Sequence, residues 1–207
     1  MTGFDYIIAV DAMGGDNSPN KIVEGISLFL KEDKNIFFNI YGKEDLIKKS
    51  LEKFSNISSD NCKIFNCETK IEDKNSVRDA IKVGKDSSMW RAIDSVKNKE
   101  SHLIISSGNT GALLVISKLL IKMMDDIDKP AIAGLWPNLK GTSIVLDLGA
   151  NIEFNEKNYI EFSKILHFLS LQYQSLWPLH LTGRMAHFNL QRFALGFQHL
   201  ILIMLLE

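Results

Sequence analysis

Short apolar runs alternate along the chain with longer segments in which apolar positions recur every three or four residues. The runs predict buried strands, and the longer segments predict amphipathic helices. The predicted strands are YIIAV, IFFNIY, CKIFNC, HLIIS, AIAGLW and SIVLDLG. Continuous apolar strands that alternate with helices favour an α/β fold, in which a mainly parallel sheet is covered on both faces.

The helical segments lie between these strands and after the last of them. The first helix is predicted to begin at about Pro19, with Ser18 as its cap. We expect its buried face to carry Ile22, Val23, Ile26 and Phe29. The other predicted helices are KEDLIKKSLEKF, DSSMWRAIDSVKN (beginning at Asp86 or Ser87), the segment from Thr110 to about Met124, and EKNYIEFSKI.

Polar segments that contain glycine follow three of the predicted strands, at 11–16, 106–111 and 147–151. Ligands of parallel α/β sheets bind at the carboxyl ends of the strands. These three segments are therefore the candidate site.

The segment SSGNTGA joins a predicted strand to a predicted helix. Gly108 and Gly111 lack Cβ atoms, so the backbone there can approach a ligand closely. The N–H groups of a helix that begins near Thr110 would meet an anion with the positive end of the helix dipole. A capped turn, with Asn109 or Thr110 as the cap, explains the same residues equally well.

A second pair of glycines, Gly14 and Gly15, lies in DAMGGD after the first predicted strand. The two carboxylates of this segment, Asp11 and Asp16, would repel a bound phosphate, so they need another role. They can accept N–H bonds from the loop, hold a lysine or bind Mg²⁺. We favour stiffening of the loop for Asp16, and a place in the site for Asp11 because it lies at the end of the strand.

The segment GKDSSM places Lys85, Ser87 and Ser88 at a predicted helix start. A lysine and hydroxyl groups at the positive end of a helix can clamp an oxyanion. An ordinary N-cap at Asp86 or Ser87 explains part of the same pattern.

The segment LKGTSIVLDLGAN has Lys140 before a predicted strand and Asp147, Gly149 and Asn151 after it. Gly149 suits the turn that follows the strand. Asp147 is either a cap or a site residue.

The composition is that of a soluble globular protein, with 45% hydrophobic and 24% charged residues. The net charge of −1 lacks the basic signature of nucleic-acid binding. Cys62 and Cys67 would point to opposite faces of a strand, so we expect neither a disulfide nor a shared metal. We expect no signal peptide and no transmembrane segment, since neither pattern is present.

Several common catalytic patterns are missing from the sequence. It has no G-x-S-x-G motif, no Cys/His pair and no cluster of metal ligands. His102 is the one histidine of residues 1–164, and it begins a predicted strand, away from the candidate site. An enzyme built from these residues would work without a protein nucleophile and without a histidine base.

The composition changes after Lys164. Residues 165–207 contain no lysine but four of the five histidines, and their charged residues are Arg184, Arg192 and Glu207. No helix or strand pattern persists through LHFLSLQYQSLWPLHLTGRMAHFNLQ. A change of reading frame is the interpretation we favour, so the predicted organisation is a domain at 1–164 followed by an aberrant, weakly charged tail at 165–207.

Five segments together resemble the bacterial phosphate acyltransferase (PlsX) family of phospholipid synthesis. They are IIAVDAMGGDNSP, GKDSSM, IISSGNTGALL, DKPAIAGLWPNLKG and IVLDLGAN, in order over residues 7–164. The resemblance implies a Rossmann-like α/β/α sandwich that is homodimeric, cytoplasmic and loosely associated with the membrane.

The resemblance also implies an activity. The family makes acyl phosphate from acyl-(acyl carrier protein) and inorganic phosphate, and a membrane acyltransferase then passes the acyl group to glycerol 3-phosphate. No cofactor and no metal-binding residue are assigned from it. It further implies catalytic roles for Lys85, Asn109 and Asp147, and binding roles for Asp11, Gly14, Gly15, Asp16, Ser87, Ser88, Gly108, Thr110, Gly111, Lys140 and Asn151.

The chain departs from the family after residue 164. Family members continue well beyond residue 207, and the further part is expected to supply more strands, most of the dimer contact and the membrane-facing helices. The 207-residue chain by itself is therefore expected to be poorly folded or inactive. The remaining alternatives are a non-catalytic fragment that binds phosphate or acyl carrier protein, and a phosphotransacetylase-like or metal-dependent dehydrogenase-like enzyme of the same broad fold.

Overall fold

The computed structural model describes residues 4–181, except 73, 140, 150 and 152. Its strands are β1 (Tyr6–Asp11), β2 (Ile36–Gly42), β3 (Cys62–Asn66), β4 (Leu103–Ser106), β5 (Ala133–Asn138) and β6 (Gly141–Leu146). Its helices are α1 (Asn20–Glu32), α2 (Glu44–Leu51), α3 (Val77–Val83), α4 (Ser88–Lys97), α5 (Thr110–Ile121) and α6 (Glu156–Leu181).

The chain forms two compact units, Met1–Lys122 and Met123–Glu207. The first unit contains β1 to β4 and α1 to α5, and the second contains β5, β6 and α6.

Four parallel strands form the sheet of the first unit, in the order β3-β2-β1-β4. Successive side chains of a strand point to opposite faces, and both faces of this sheet are covered. On one face, Phe38 of β2 makes an edge-to-face contact with Phe29 of α1. On the other, a buried cluster combines residues of β1, β2 and α4, with Cys67 beside them: Ala9, Tyr41, Ala92 and Val96. The prediction of a parallel, three-layer α/β/α arrangement is therefore confirmed.

The strand order reverses direction at β1. The chain proceeds from β1 to β2 and β3 on one side, and β4 then pairs with the other side of β1. Ligands of open α/β sheets bind outside the carboxyl ends of the strands at such a reversal. The two loops that flank it are those of residues 12–19, after β1, and 107–109, after β4.

The last two strands differ from the expectation of one parallel sheet, because β5 and β6 form an antiparallel pair of their own. Residues 139–140 separate them. A parallel connection needs a crossover of a dozen or more residues, whereas two residues suffice for a hairpin. The spacing of the strands, rather than their apolar character, determines their direction here.

Helix α1 begins at Asn20, and Pro19 rather than Ser18 occupies its N-cap position. The predicted cap is therefore wrong: the Ser18 hydroxyl donates instead to the carbonyl of Gly14 in the preceding loop. The buried face holds Ile22, Val23 and Ile26 as predicted, while the next buried apolar position is Leu30.

Helix α6 continues from Glu156 to Leu181, so the expectation that helical structure does not persist beyond residue 164 is wrong as far as 181. Leucine and glutamine, which recur after Lys164, extend a helix that has already started at little cost, even where charged residues are few. Residues 182–207 lie outside the described residues, and the boundary at 164 stays a prediction. In the part of the chain that the structure describes, no helix combines the length and the apolar character that crossing a membrane requires.

Candidate functional site

A buried carboxylate, that of Asp11, lies at the carboxyl end of β1, with 2% of the residue exposed. Its Oδ1 accepts hydrogen bonds from the Ser88 hydroxyl at 2.6 Å and from the Met13 N–H at 3.2 Å. Its Oδ2 accepts from the Ser106 hydroxyl at 2.7 Å. Asp11 thus ties its own loop to the start of α4 and to the end of β4.

Burial raises the pKa of Asp11 above its ordinary value, because the charged form loses its hydration. The hydrogen bonds from Ser88, Ser106 and the backbone of Met13 and Gly14 act in the opposite direction, since they stabilise the carboxylate. A carboxylate in this position is stabilised by fixed donors of the chain rather than by water.

The loops after β1 and β4 touch through glycine. A Cβ atom on Gly14 would lie 2.7 Å from the backbone nitrogen of Gly108 and 2.7 Å from Oδ2 of Asp11. Gly15 has a φ of +77°, and a Cβ there would lie 2.7 Å from the carbonyl oxygen of Ser107. The glycines of the β1 loop are therefore required for contact between the two loops.

The N-terminus of α5 follows this contact. Asn109 is its N-cap: its side-chain oxygen accepts from the Ala112 N–H at 2.9 Å, and its side-chain nitrogen donates to the Asn75 carbonyl at 3.2 Å. Of the two explanations that the sequence leaves open, the capped turn is thus present. The cap oxygen accepts from the Ala112 N–H, so it does not use the N–H groups of Thr110 and Gly111.

Thr110 and Gly111 are the first two residues of α5. Within the described residues, their backbone N–H groups donate to no acceptor, as is usual for the first turn of a helix. Thr110 is exposed and Gly111 is half-buried. An anion near these N–H groups would meet two donors and the positive end of the helix dipole.

The three residues of the predicted clamp, Lys85, Ser87 and Ser88, have different environments in the structure. Ser87 is the N-cap of α4, accepting from the Trp90 N–H at 3.2 Å, and Ser88 donates to Asp11. Both serines are buried, whereas Lys85 is exposed. The two serine hydroxyl groups therefore support the site through hydrogen bonds within the chain, one to the backbone of α4 and one to Asp11. A direct role in binding stays a prediction for Lys85.

The favoured explanation for Asp16 is not supported. Asp16 is exposed, and among the described residues it accepts no hydrogen bond, whereas Asp11 accepts the loop N–H bond. The strand end is buried beneath the loops, so its carboxylate can reach the loop amides while that of Asp16 points outward. Lys140 lies outside the described residues, and its role stays a prediction.

Asp147 and Asn151 belong to the second unit, where they form a turn after β6. Asp147 has a φ of +57°, and its Oδ1 accepts from the backbone and side-chain nitrogens of Asn151 at 3.2 and 3.0 Å. Asn151 also donates to the carbonyl of Pro130 at 2.9 Å. Their predicted place in the pocket stays a prediction.

Sequence reasoning missed the helix α3, which adjoins the start of α5. Asn75, just before α3, accepts from Asn109, and a Cβ on Gly111 would lie 3.3 Å from Cγ2 of Val77. The signal was present: Ser76 and Asp79 have the spacing of a capping box, and the Ser76 hydroxyl accepts from the Asp79 N–H at 3.2 Å.

Among the described residues, no group of three or more His, Cys, Asp or Glu side chains is arranged to hold a metal ion. Cys62 and Cys67 are free thiols, both buried, and burial raises the pKa of each.

The parallel sheet, its two covered faces and the glycine loops at the strand reversal place the chain in the class of Rossmann-like α/β proteins. Within that class it belongs to the family described as "Fatty acid synthesis protein", which matches residues 6–172. The match reaches a few residues beyond the segment 7–164 that carries the resemblance.

Several curated relatives of the chain are named phosphate acyltransferase. The chain is 48% identical to that of Pelagibacter ubique (strain HTCC1062) over 83% of its own length and 50% of the relative's. It is 37% identical to that of Paramagnetospirillum magneticum over 75% and 44%, and 39% identical to that of Mesorhizobium japonicum over 75% and 44%. The chain thus spans about half the length of the curated relatives it matches.

Proposed function

We propose that this chain handles phosphate in a phosphate acyltransferase reaction, in which acyl phosphate forms from acyl-(acyl carrier protein) and inorganic phosphate. The observation that carries the proposal is the 48% identity to a relative named phosphate acyltransferase. The proposal includes acyl carrier protein as a partner, a homodimer in the cytoplasm near the membrane, and a membrane acyltransferase that uses the product.

The chemistry of this reaction suits the residues of the site. Inorganic phosphate is largely dianionic near neutral pH, by comparison with phosphoserine, whose second pKa is about 6. It can attack the thioester carbonyl itself, forming a P–O–C bond while the C–S bond breaks. The thiol that leaves has a pKa of about 8.5, so its thiolate is a tolerable leaving group.

The remaining tasks for the protein are to position two anions and to stabilise the tetrahedral oxyanion. The Thr110 and Gly111 N–H groups are suited to hold the phosphate or the oxyanion, because they lie at a helix N-terminus and donate to no acceptor among the described residues. Gly14 and Gly108 keep the two loops together beneath them. Lys85, Lys140, Asp147 and Asn151 remain proposed contributors.

The direct test is phosphate-dependent formation of acyl phosphate. Purified chain is incubated with acyl-(acyl carrier protein) and phosphate, and the product is trapped with hydroxylamine as the hydroxamate. Because the chain covers half of its relatives, the same assay is run on a chimera in which residues 6–172 replace the matching segment of the Pelagibacter ubique relative.

The chimera is expected to form hydroxamate only when phosphate is present. A folded chimera, verified by circular dichroism, that forms none would refute the proposal. Binding of phosphate or acyl carrier protein without turnover in either protein would favour the non-catalytic alternative.

Asn109 provides a test within the site. Asn109→Ala removes both the cap and the amide donor, whereas Asn109→Gly keeps an acceptable N-cap residue and removes the donor without adding a charge. If the amide donates to the oxyanion, both variants of the chimera should lose about 10²–10³ in kcat. If Asn109 is only a cap, Asn109→Gly should retain activity, and Asn109→Ala should lose about 1 kcal/mol of stability in urea unfolding.

A further inference from the structure

Ser106 occupies the position between the buried carboxylate and the glycine turn. Its hydroxyl donates to Oδ2 of Asp11 at 2.7 Å and accepts from the Gly108 N–H at 3.1 Å. A hydroxyl has one proton, so donation to Asp11 leaves its lone pairs directed at the turn. The carboxylate therefore determines which way the Ser106 hydroxyl points.

We propose that Asp11 and Ser106 act as a positioning pair, which fixes the Gly108 peptide and thereby aims the first N–H groups of α5 at the phosphate. This inference rests on the proposed function. Neither residue needs to touch the anion, since Ser106 acts through Gly108 and Asp11 acts through Ser106.

The contacts of Gly108 hold the turn after β4 in one conformation. The Gly108 nitrogen is held by Ser106 on one side, and the Gly14 backbone lies close on the other. Asp11 is in turn held by Ser88 at the start of α4, which contacts both α5 and β1. Donors that are already oriented when the anion arrives lose little free energy to reorganisation.

The pair also explains a buried charge that the reaction itself does not use. A carboxylate that is 2% exposed is costly to bury, and its donors offset this cost only when they are all present. A hydrogen bond to a charged group is about twice as strong as a neutral one. The bond from Ser106 to Asp11 is therefore well suited to orienting a hydroxyl.

The test follows amide resonances by ¹⁵N NMR during titration with inorganic phosphate, in the 207-residue chain or, if that chain does not fold by itself, in the chimera. In the unaltered chain, phosphate is expected to shift the resonances of Thr110 and Gly111. Ser106→Ala should weaken the phosphate response about tenfold, while Ser106→Thr, which keeps the hydroxyl, should restore it to within about threefold.

The matched control is Ser95→Ala. Ser95 is a buried serine in the last part of α4, and its hydroxyl donates to the Ala92 carbonyl at 2.8 Å. Its loss removes a buried hydroxyl without touching the turn, so the phosphate response should not change. An equal loss of response in Ser95→Ala would show that general destabilisation is responsible, and would overturn the inference.

Asp11→Asn serves as a second variant with nearly the same shape. The new amide group presents a donor to Ser106 and reverses the hydrogen bond, so phosphate should again bind about tenfold more weakly. Because the two residues act as one pair, the double variant should be little worse than either single variant. Fully additive losses would contradict the pair.

The possible outcomes distinguish failure of the positioning pair from failure of the proposed function. A normal phosphate response that survives Ser106→Ala would overturn the positioning pair alone. No response to phosphate in the unaltered, folded chain would overturn the phosphate-handling function, and the positioning role with it.

Discussion

Gly14 and Gly108 allow main-chain atoms of two loops to meet without intervening side chains. The distances leave no room for a Cβ on Gly14, since the nearest atoms belong to backbone and to a buried carboxylate. Neither neighbour can move aside as the end of a flexible side chain would. The requirement for glycine at this position is therefore steric, whatever the ligand is.

Gly14→Ala is expected to lower the free energy of unfolding by about 1–3 kcal/mol, the usual cost of overpacking. Gly111→Ala is the matched control, because its Cβ would meet the Val77 side chain at 3.3 Å within a helix, where alanine is favourable. Urea unfolding of the two variants measures the difference. Equal stabilities would contradict the close contact of the loops.

The carboxylate of Asp11 makes a pH dependence testable. Its pKa in the folded chain is raised by burial, above about 3.9 in the unfolded chain. Between these two pKa values the folded state binds more protons, so the contribution of Asp11 to stability falls as pH rises. That contribution is fully present below about pH 3.9 and lost above the folded pKa.

Asp11→Asn cannot titrate, so the unfolding free energy of the unaltered chain minus that of the variant should decline as pH rises from about 4. The decline amounts to about 1.4 kcal/mol for each unit by which the pKa is raised. Urea unfolding from pH 4 to pH 7 measures it, with Asp16→Asn as the control for a general charge effect. A difference in unfolding free energy that increases with pH would contradict the prediction.

At the residue scale, the sequence predicts the place of the site better than its internal contacts. Asp11, Gly14 and Gly108 follow apolar strands, so their meeting at one edge of the sheet could be expected. Whether Asp11 or Asp16 accepts from the loop amides could not be predicted from the sequence. It depends on which of the two carboxylates is buried. The same holds for Ser88, whose hydrogen bond to Asp11 joins residues far apart in sequence.

At the element scale, strands and helices with continuous or periodic apolar positions were predictable, and β1, β2, α4 and β4 lie where expected. Helix α3 was missed because its apolar residues Val77 and Ile81 remain more than a third exposed, so the pattern of burial is weak. The direction of β6 follows from a hairpin connection rather than from any apolar pattern.

The part of α6 beyond residue 164 can be tested with two leucines. Leu169 is 8% exposed and Leu166 is 39% exposed. Leu169→Ala is expected to destabilise the chain by about 2–5 kcal/mol, as for a buried leucine, and Leu166→Ala by less than about 1 kcal/mol. Thermal unfolding followed by circular dichroism compares them. If neither substitution lowers the stability, the part of α6 beyond Lys164 does not contribute to the stability of the chain.

At the scale of the whole molecule, the chain consists of two units with different sheets. The first unit holds the four parallel strands, and every contact of Asp11, Gly14 and Gly108 described above lies within it. The second holds the antiparallel pair and α6. The phosphate-binding N–H groups proposed here belong to the first unit alone.

A fragment of residues 1–122 is therefore expected to fold cooperatively by itself. It keeps the four-stranded sheet and α5, which buries Ala112, Leu113, Leu114 and Ile116. A fragment that ends at residue 107 keeps the strands but lacks this helix, and it should not fold. Thermal melting followed by circular dichroism distinguishes the two, and a gradual, non-cooperative transition in the longer fragment would contradict the prediction.

The contact between Gly14 and Gly108 also has a consequence for protein engineering. Because each loop is shaped against the backbone of the other, they form a single transferable part. Grafting the segment after β1 from a homologous chain, without the one after β4, should create a clash or a gap in the recipient. Grafting both together should preserve the contact between them, so libraries of hybrids within the family should exchange the two loops as a set.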